Sequence, residues 1–232
     1  FHNLTIDDAA VFPTDNYSHC VKGDLTLTNG SYLDILGNLY LEGDLVTGCS
    51  GTSSWSSSGC GGISTDYGEC KLVLTGTGNQ SIGSMNPSNL RYVIEKPSGT
   101  VTQNGYISAD DFWLGYWGGS GTYLIDDETL DVATIFDITT GTLRVNGGTL
   151  NYNSNSSTYF TLNGGTLDVD AGEVNVGRAA DDYWADINLV SGTIDVSGGT
   201  LNICDELDQT DGTITQTGGT INIGVYSGAT SS

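Results

Sequence analysis

Basic residues are scarce. Lys and Arg together number 6 against 28 Asp and Glu, for a formal net charge of −22. A surface so poor in cations cannot neutralise rows of phosphates, which excludes nucleic acid and anionic membrane surfaces as partners. Histidine occurs twice, proline three times and methionine once. No CxxC or HxxxH spacing exists, so a zinc site of the usual kind is absent. No apolar run is long enough to span a bilayer, and no long stretch of helical period is found. What remains abundant is glycine, 34 residues, with Ser, Thr and Asn. Disorder does not follow from that polarity, because the apolar residues are regularly spaced rather than depleted.

The spacing is clearest in residues 135–223. One twelve-residue phrase is written four times there: GTLRVNGGTLNY from Gly141, GTLDVDAGEVNV from Gly165, GTIDVSGGTLNI from Gly192 and GTITQTGGTINI from Gly212. Each copy holds two alternating runs, such as Leu143/Val145 and Leu150/Tyr152, and period-two alternation means strands with one buried face. A glycine-containing corner separates the runs, Gly147-Gly148 in the first copy and Gly218-Gly219 in the last. A third run precedes each copy, beginning at Ile135, Tyr159, Asp186 and Glu206. Successive copies start 24, 27 and 20 residues apart, and the variation falls at one corner, as in a solenoid.

The repeat therefore predicts an all-β fold, one parallel β-solenoid domain over residues 1–232, with three short strands per coil and about nine or ten coils. Looser versions of the pattern occupy residues 1–47 and 71–134. Between them, residues 48–69 form a Gly/Ser-rich insertion without a strand pattern. Asn151, Asn175, Asn202 and Asn222 recur at one position of the unit, which predicts an asparagine ladder; plain turn residues are the alternative.

Five cysteines point to an oxidising compartment. Cys49 and Cys60 bracket the insertion and are expected to form a disulfide, with a second bridge between Cys20 and Cys70 and Cys204 left over. Asn3, Asn16, Asn29, Asn79 and Asn155 begin N-x-S/T sequons and are candidate glycan acceptors. The chain starts at Phe1, consistent with a removed signal peptide or a segment of a longer protein. An extracellular or cell-surface location after secretion is expected.

The phrases NLTI…GDLTLTNGSYLDILGNLYLEGDL and LVLTGTGNQSI…LRYVIEKPSGTVT, with the GGTL/GGTI copies, resemble the β-helical repeats of large bacterial secreted and surface proteins, including autotransporter-passenger-like and Bacteroidetes-type adhesins. The resemblance covers nearly the whole chain and implies a right-handed parallel β-helix outside the cell. It carries no catalytic motif.

An enzyme on such a fold would be a polysaccharide lyase or hydrolase, needing calcium-binding or paired carboxylates and a base. The acids available are Asp110/Asp111, Asp126/Asp127/Glu128 and Asp181/Asp182. The bases are Lys22, Lys71, Arg91, Lys96, Arg144 and Arg178, and the NTD, GHG and RIK elements of polygalacturonases are missing. Calcium is a candidate ligand at Asp126, Asp127 and Glu128 or at Asp181 and Asp182; no other cofactor is expected. Trp113, Tyr116, Trp117 and Tyr123 cluster, and Tyr183 and Trp184 lie in the longest insertion of the repeat. These aromatics suit a protein contact, stacking on sugars, or filling of the core. The expectation is a non-enzymatic structural protein, a subunit of a surface filament or the shaft of an adhesin, with itself, head to tail, or surface glycans as partner. The uncapped last coil favours head-to-tail assembly. A carbohydrate-binding or polysaccharide-degrading β-helix is the alternative, and an ice-binding solenoid a lesser one, since outward Thr occurs once per strand.

Overall fold

Alternation of apolar and polar residues becomes three stacked faces. The computed structural model describes residues 1–7, 12–13, 17–28, 32–34, 37–47, 62–64, 71–85, 90–154, 159–177 and 185–224. Every regular element among them is a strand, and every pairing is parallel. The fold is a parallel β-solenoid. No helix among these residues is long and apolar enough to cross a membrane.

Face A begins with His19–Val21, Leu39–Leu41, Lys71–Leu74 and Arg91–Ile94. In register above Arg91–Ile94 come residues 111–114, 135–138, 160–162, 187–189 and 207–209. Face B runs from Leu4–Asp7 through Leu25–Thr28, Leu45–Thr47, Gln80–Ile82, Thr100–Gln103 and Thr122–Ile125 to Thr213–Gln216. Face C closes each turn and ends with Thr200–Ile203 and Thr220–Ile223. About eight turns carry a strand on all three faces, slightly fewer than the nine or ten expected. One turn has only the isolated Met85–Ile107 bridge on face C. Before His19 the described residues include the strands Leu4–Asp7 on face B and Phe12–Pro13 on face C.

In-register stacking places like side chains one rung apart, about 4.8 Å, and this builds the core. Tyr92, Phe112, Phe136 and Phe160 form an inward file on face A, with Phe136 and Phe160 stacked at 4.1 Å and 9° between ring planes. Tyr123 from face B and Tyr152 from face C meet this file edge-on, 5.2 Å from Phe112 and 6.0 Å from Phe136. Their hydroxyls do not stay unpaired: Tyr123 donates to Gln103 Oε1 at 3.1 Å and Tyr152 to the Thr134 carbonyl at 2.9 Å. The corners are as tight as the strands. Gly212 lies at φ 92°, and a Cβ there would come 2.7 Å from the carbonyl oxygen of Gly192 in the coil below, so only glycine fits.

The asparagine ladder forms as expected. Asn222 Nδ2 donates to Asn202 Oδ1 at 2.9 Å, Asn202 to Asn175 at 2.9 Å, and Asn175 to Asn151 at 3.0 Å. It extends one rung further than the asparagines: Asn151 donates to Asp131 Oδ1 at 2.8 Å, and the Tyr106 hydroxyl donates to the other oxygen at 2.6 Å. Asp131 occupies the Asn position of an earlier coil, paired with Asn151 in register.

Two local expectations are corrected. The insertion 48–69 contains a strand, Gly62–Ser64, paired with Tyr32–Asp34 on face C. Its signal in sequence is weak because Ile63 is its one large apolar residue. Within 71–134, where the strand pattern is expected to continue, the strand from Ile107 stops at Leu114, because Gly115 (φ 70°) and Gly118 (φ 103°) turn the chain and the Gly118 N–H bonds the Gly115 carbonyl at 3.0 Å.

Candidate functional site

On face A the inward file of Leu72, Tyr92 and Phe112 forces its neighbours outward. Lys71, Arg91 and Asp111 form one outward row in register, and Val73, Val93 and Trp113 form the next. The two valines are buried although they point away from the core cluster. Lys71 Nζ stands 5.2 Å from the Trp113 ring centre and 5.3 Å from that of Trp117, and the Arg91 guanidinium stands 5.7 Å from Trp113. Lys71 and Trp113 belong to strands two rungs apart, so these side chains meet over the rung between them, which carries Val93. Each such cation–ring contact contributes about 0.5–1 kcal/mol at a partly exposed site.

The glycine turn at 115–119 projects two further aromatics. Glu95 anchors it, accepting the N–H of Trp117 at 2.7 Å and of Gly119 at 3.3 Å. Tyr116 and Trp117 are thereby held 53% and 55% exposed. The rings run on from one another, Trp113 to Tyr116 at 5.8 Å and Tyr116 to Trp117 at 5.7 Å. The result is an aromatic platform on a rigid sheet.

Acids rim the platform. Arg91 Nε pairs with Asp111 at 3.1 Å. Burial raises the pKa of Asp111, an effect that Arg91 partly opposes, while Asp110 adds to it. Asp137, one rung above Trp113, is also raised by burial. Lys71 is engaged with rings and Arg91 with a ring and a carboxylate, so neither is presented as a free base.

The other expected site residues are scattered. Tyr123 is corrected: it lies fully inside the solenoid, because Thr122 and Leu124 take the outward positions of its strand. Asp126 and Asp127 are exposed at a corner where Asp126 accepts from Asn146 at 3.0 Å and Asp127 adopts φ 63°. No group of three or more metal-ligating His, Cys, Asp or Glu side chains occurs among the described residues. Asn3 and Asn79 are exposed, and their Oδ1 atoms accept the N–H of Asp24 at 3.1 Å and of Thr100 at 3.0 Å. Cys20 is an exposed free thiol with Sγ 3.9 Å from Glu42 Oε1; Cys204 is a buried one, its pKa raised by burial. Cys49, Cys60, Cys70, Asn16, Asn29, Asn155, Arg178, Asp181, Asp182, Tyr183 and Trp184 lie outside the described residues.

Sequence reading missed the polar braces inside the stack. Lys96 is fully buried, with Nζ 2.6 Å from Gln80 Oε1, 3.2 Å from the Gly76 carbonyl and 3.3 Å from that of Thr75. Gln80 in turn donates to the Leu41 and Gly43 carbonyls at 3.1 and 2.6 Å, linking three successive coils. Asp24 and Asp44 accept backbone N–H groups of the next coil, from Asp44 at 2.9 Å and Ser81 at 2.7 Å. No protein-family model, curated protein or solved structure matches the chain.

Proposed function

We propose that the chain is the structural shaft of an extracellular surface protein, an adhesin-type rod that makes lateral contacts through the aromatic platform on face A. One observation carries this reading. The polar side chains that recur from coil to coil join coils to one another, as the asparagine ladder does, whereas the exposed large aromatics at 116 and 117 belong to no repeat. A shaft needs the first kind of residue everywhere and the second at one place. The net charge of −22 suits a soluble rod outside the cell.

Assembly with further copies of the chain, end to end as a filament, is the second reading. It is favoured by the last described coil, where Ile223 is 52% exposed and Ile214 and Ile221 are only partly buried. A shaft tolerates changes of length. Adding four extra copies of the coil Gly192–Asp211 should lengthen the rod by about 19 Å in small-angle X-ray scattering and leave the platform intact. Unfolding, or no lengthening, would sink the proposal.

A further inference from the structure

The geometry points to a binding strip for a neutral, extended β-linked oligosaccharide on face A, running along the solenoid axis from the aromatic platform. This rests on the reading of face A as the contact side and names its ligand. Above Trp113 the same outward row continues in register as Asp137, Thr161 and Asn188. Their side chains make no hydrogen bond to the other described residues, and all three are half-buried. They therefore present a carboxylate, a hydroxyl and an amide, one per rung.

A rung of about 4.8 Å is on the order of the length of one pyranose ring in an extended chain. A glycan lying along the row thus brings a fresh set of hydroxyls to each side chain in turn. The ring at the platform end stacks on Trp113 or Trp117, whose indole faces match the apolar C–H face of a sugar. Tyr159, 44% exposed, stands two residues before Thr161 and so flanks the strip on that rung, beside the row rather than at its end. Parallel stacking makes this spacing regular without any special residue.

Charge selects against acidic sugars. Lys71 and Arg91 already face rings and Asp111. Glu95 at the platform turn and Asp137 on the rung above Trp113 are acidic, within a chain of net charge −22. Neutral hydroxyls can donate to Asp137, whereas a uronate is repelled.

The test is isothermal titration calorimetry of the intact chain with β-1,4-linked glucan, mannan and N-acetylglucosamine hexasaccharides, their disaccharides, and an oligogalacturonate. Binding of at least one neutral hexasaccharide is expected, at least tenfold tighter than its disaccharide. Trp117→Ala and Tyr159→Ala should each weaken it about tenfold, and Thr161→Val, which keeps the side-chain shape, should weaken it less. Unchanged far-ultraviolet circular dichroism shows that the variants fold. Absence of binding by every neutral hexasaccharide, tighter binding of the galacturonate, or binding indifferent to both aromatic substitutions would overturn the inference. So would self-association that Trp117→Ala abolishes, since the platform would then be a protein contact. Rod length in scattering is read separately, so the strip can fail while the shaft stands.

Discussion

Lys96 gives the sharpest quantitative expectation. Its ammonium sits inside the solenoid with three oxygen partners, Gln80 Oε1 at 2.6 Å, Gly76 O at 3.2 Å and Thr75 O at 3.3 Å, and burial lowers its pKa. Replacement by Met keeps the four-atom stem and removes the donors. Gln80 Oε1 is then left buried and unpaired, at a cost of about 1–3 kcal/mol. Relief from burying a charge offsets part of this loss, so a net destabilisation of about 1–2 kcal/mol is expected from these two terms. For a chain of this size that lowers Tm by roughly 2–8 °C. Lys96→Ala adds an empty volume and should cost about 3–5 kcal/mol. In the double variant Lys96→Met/Gln80→Leu the orphaned oxygen is gone, so the two effects should fall short of additivity by about 1 kcal/mol or more. Recovery is incomplete, because Gln80 Nε2 also holds the Leu41 and Gly43 carbonyls. Thermal melts followed by circular dichroism read these three variants and the Gln80→Leu single variant that completes the cycle. A Lys96→Met protein melting within a degree of the parent, or strictly additive effects, would refute the brace.

The ladder should be graded along its length. Asn175→Ala breaks two side-chain bonds and Asn222→Ala one at an open rung, so about 1–2 kcal/mol against less than about 1 is expected in urea titrations; the reverse order would contradict a stacked amide file. Alkali should unfold the chain steeply above about pH 10. Burial raises the pKa of Tyr92 and Tyr123 and, with Asp131, pushes Tyr106 up to about 12. The unfolded chain therefore loses those protons first, and stability falls as pH rises through that window. Mild acid has the opposite sign. Burial raises Asp111, Asp137 and Asp168, so the folded chain takes up protons before the unfolded one as pH falls toward about 4. Tm should rise from pH 7 to about 4.5; a fall would show that other paired carboxylates dominate. Gly212→Ala, which forces a Cβ into the left-handed region at φ 92°, should lower stability by at least about 1 kcal/mol in the same assay.

Period-two alternation with glycine corners carried the fold, because each strand buries one face and each corner excludes a Cβ. It also carried the ladder, since a side chain recurring at one place in a repeat must recur one rung apart in space. Alternation applied to Phe112 and Trp113 places the first inside and the second outside, and applied to Thr122, Tyr123 and Leu124 it places Tyr123 inside, against the Phe112 ring. Closeness in sequence had grouped that tyrosine with Trp113, Tyr116 and Trp117, with filling of the core as one of its readings. Lys96 and Gln80 were illegible for a different reason. A lone lysine near a proline reads as surface, and only the coil stacking shows that its neighbours are carbonyls from the turn beneath. The cation–ring contacts were hidden likewise: Lys71, Arg91 and Trp113 are 20 or more residues apart in sequence yet sit on successive rungs.

Electron microscopy of the purified chain at high concentration tests the central claim most directly. Singly dispersed rods about 40 Å long, the height of roughly eight or nine stacked turns, are the result expected of a shaft that makes its contacts sideways. Filaments with that axial repeat would contradict it and show that the coil ends, not face A, carry the assembly.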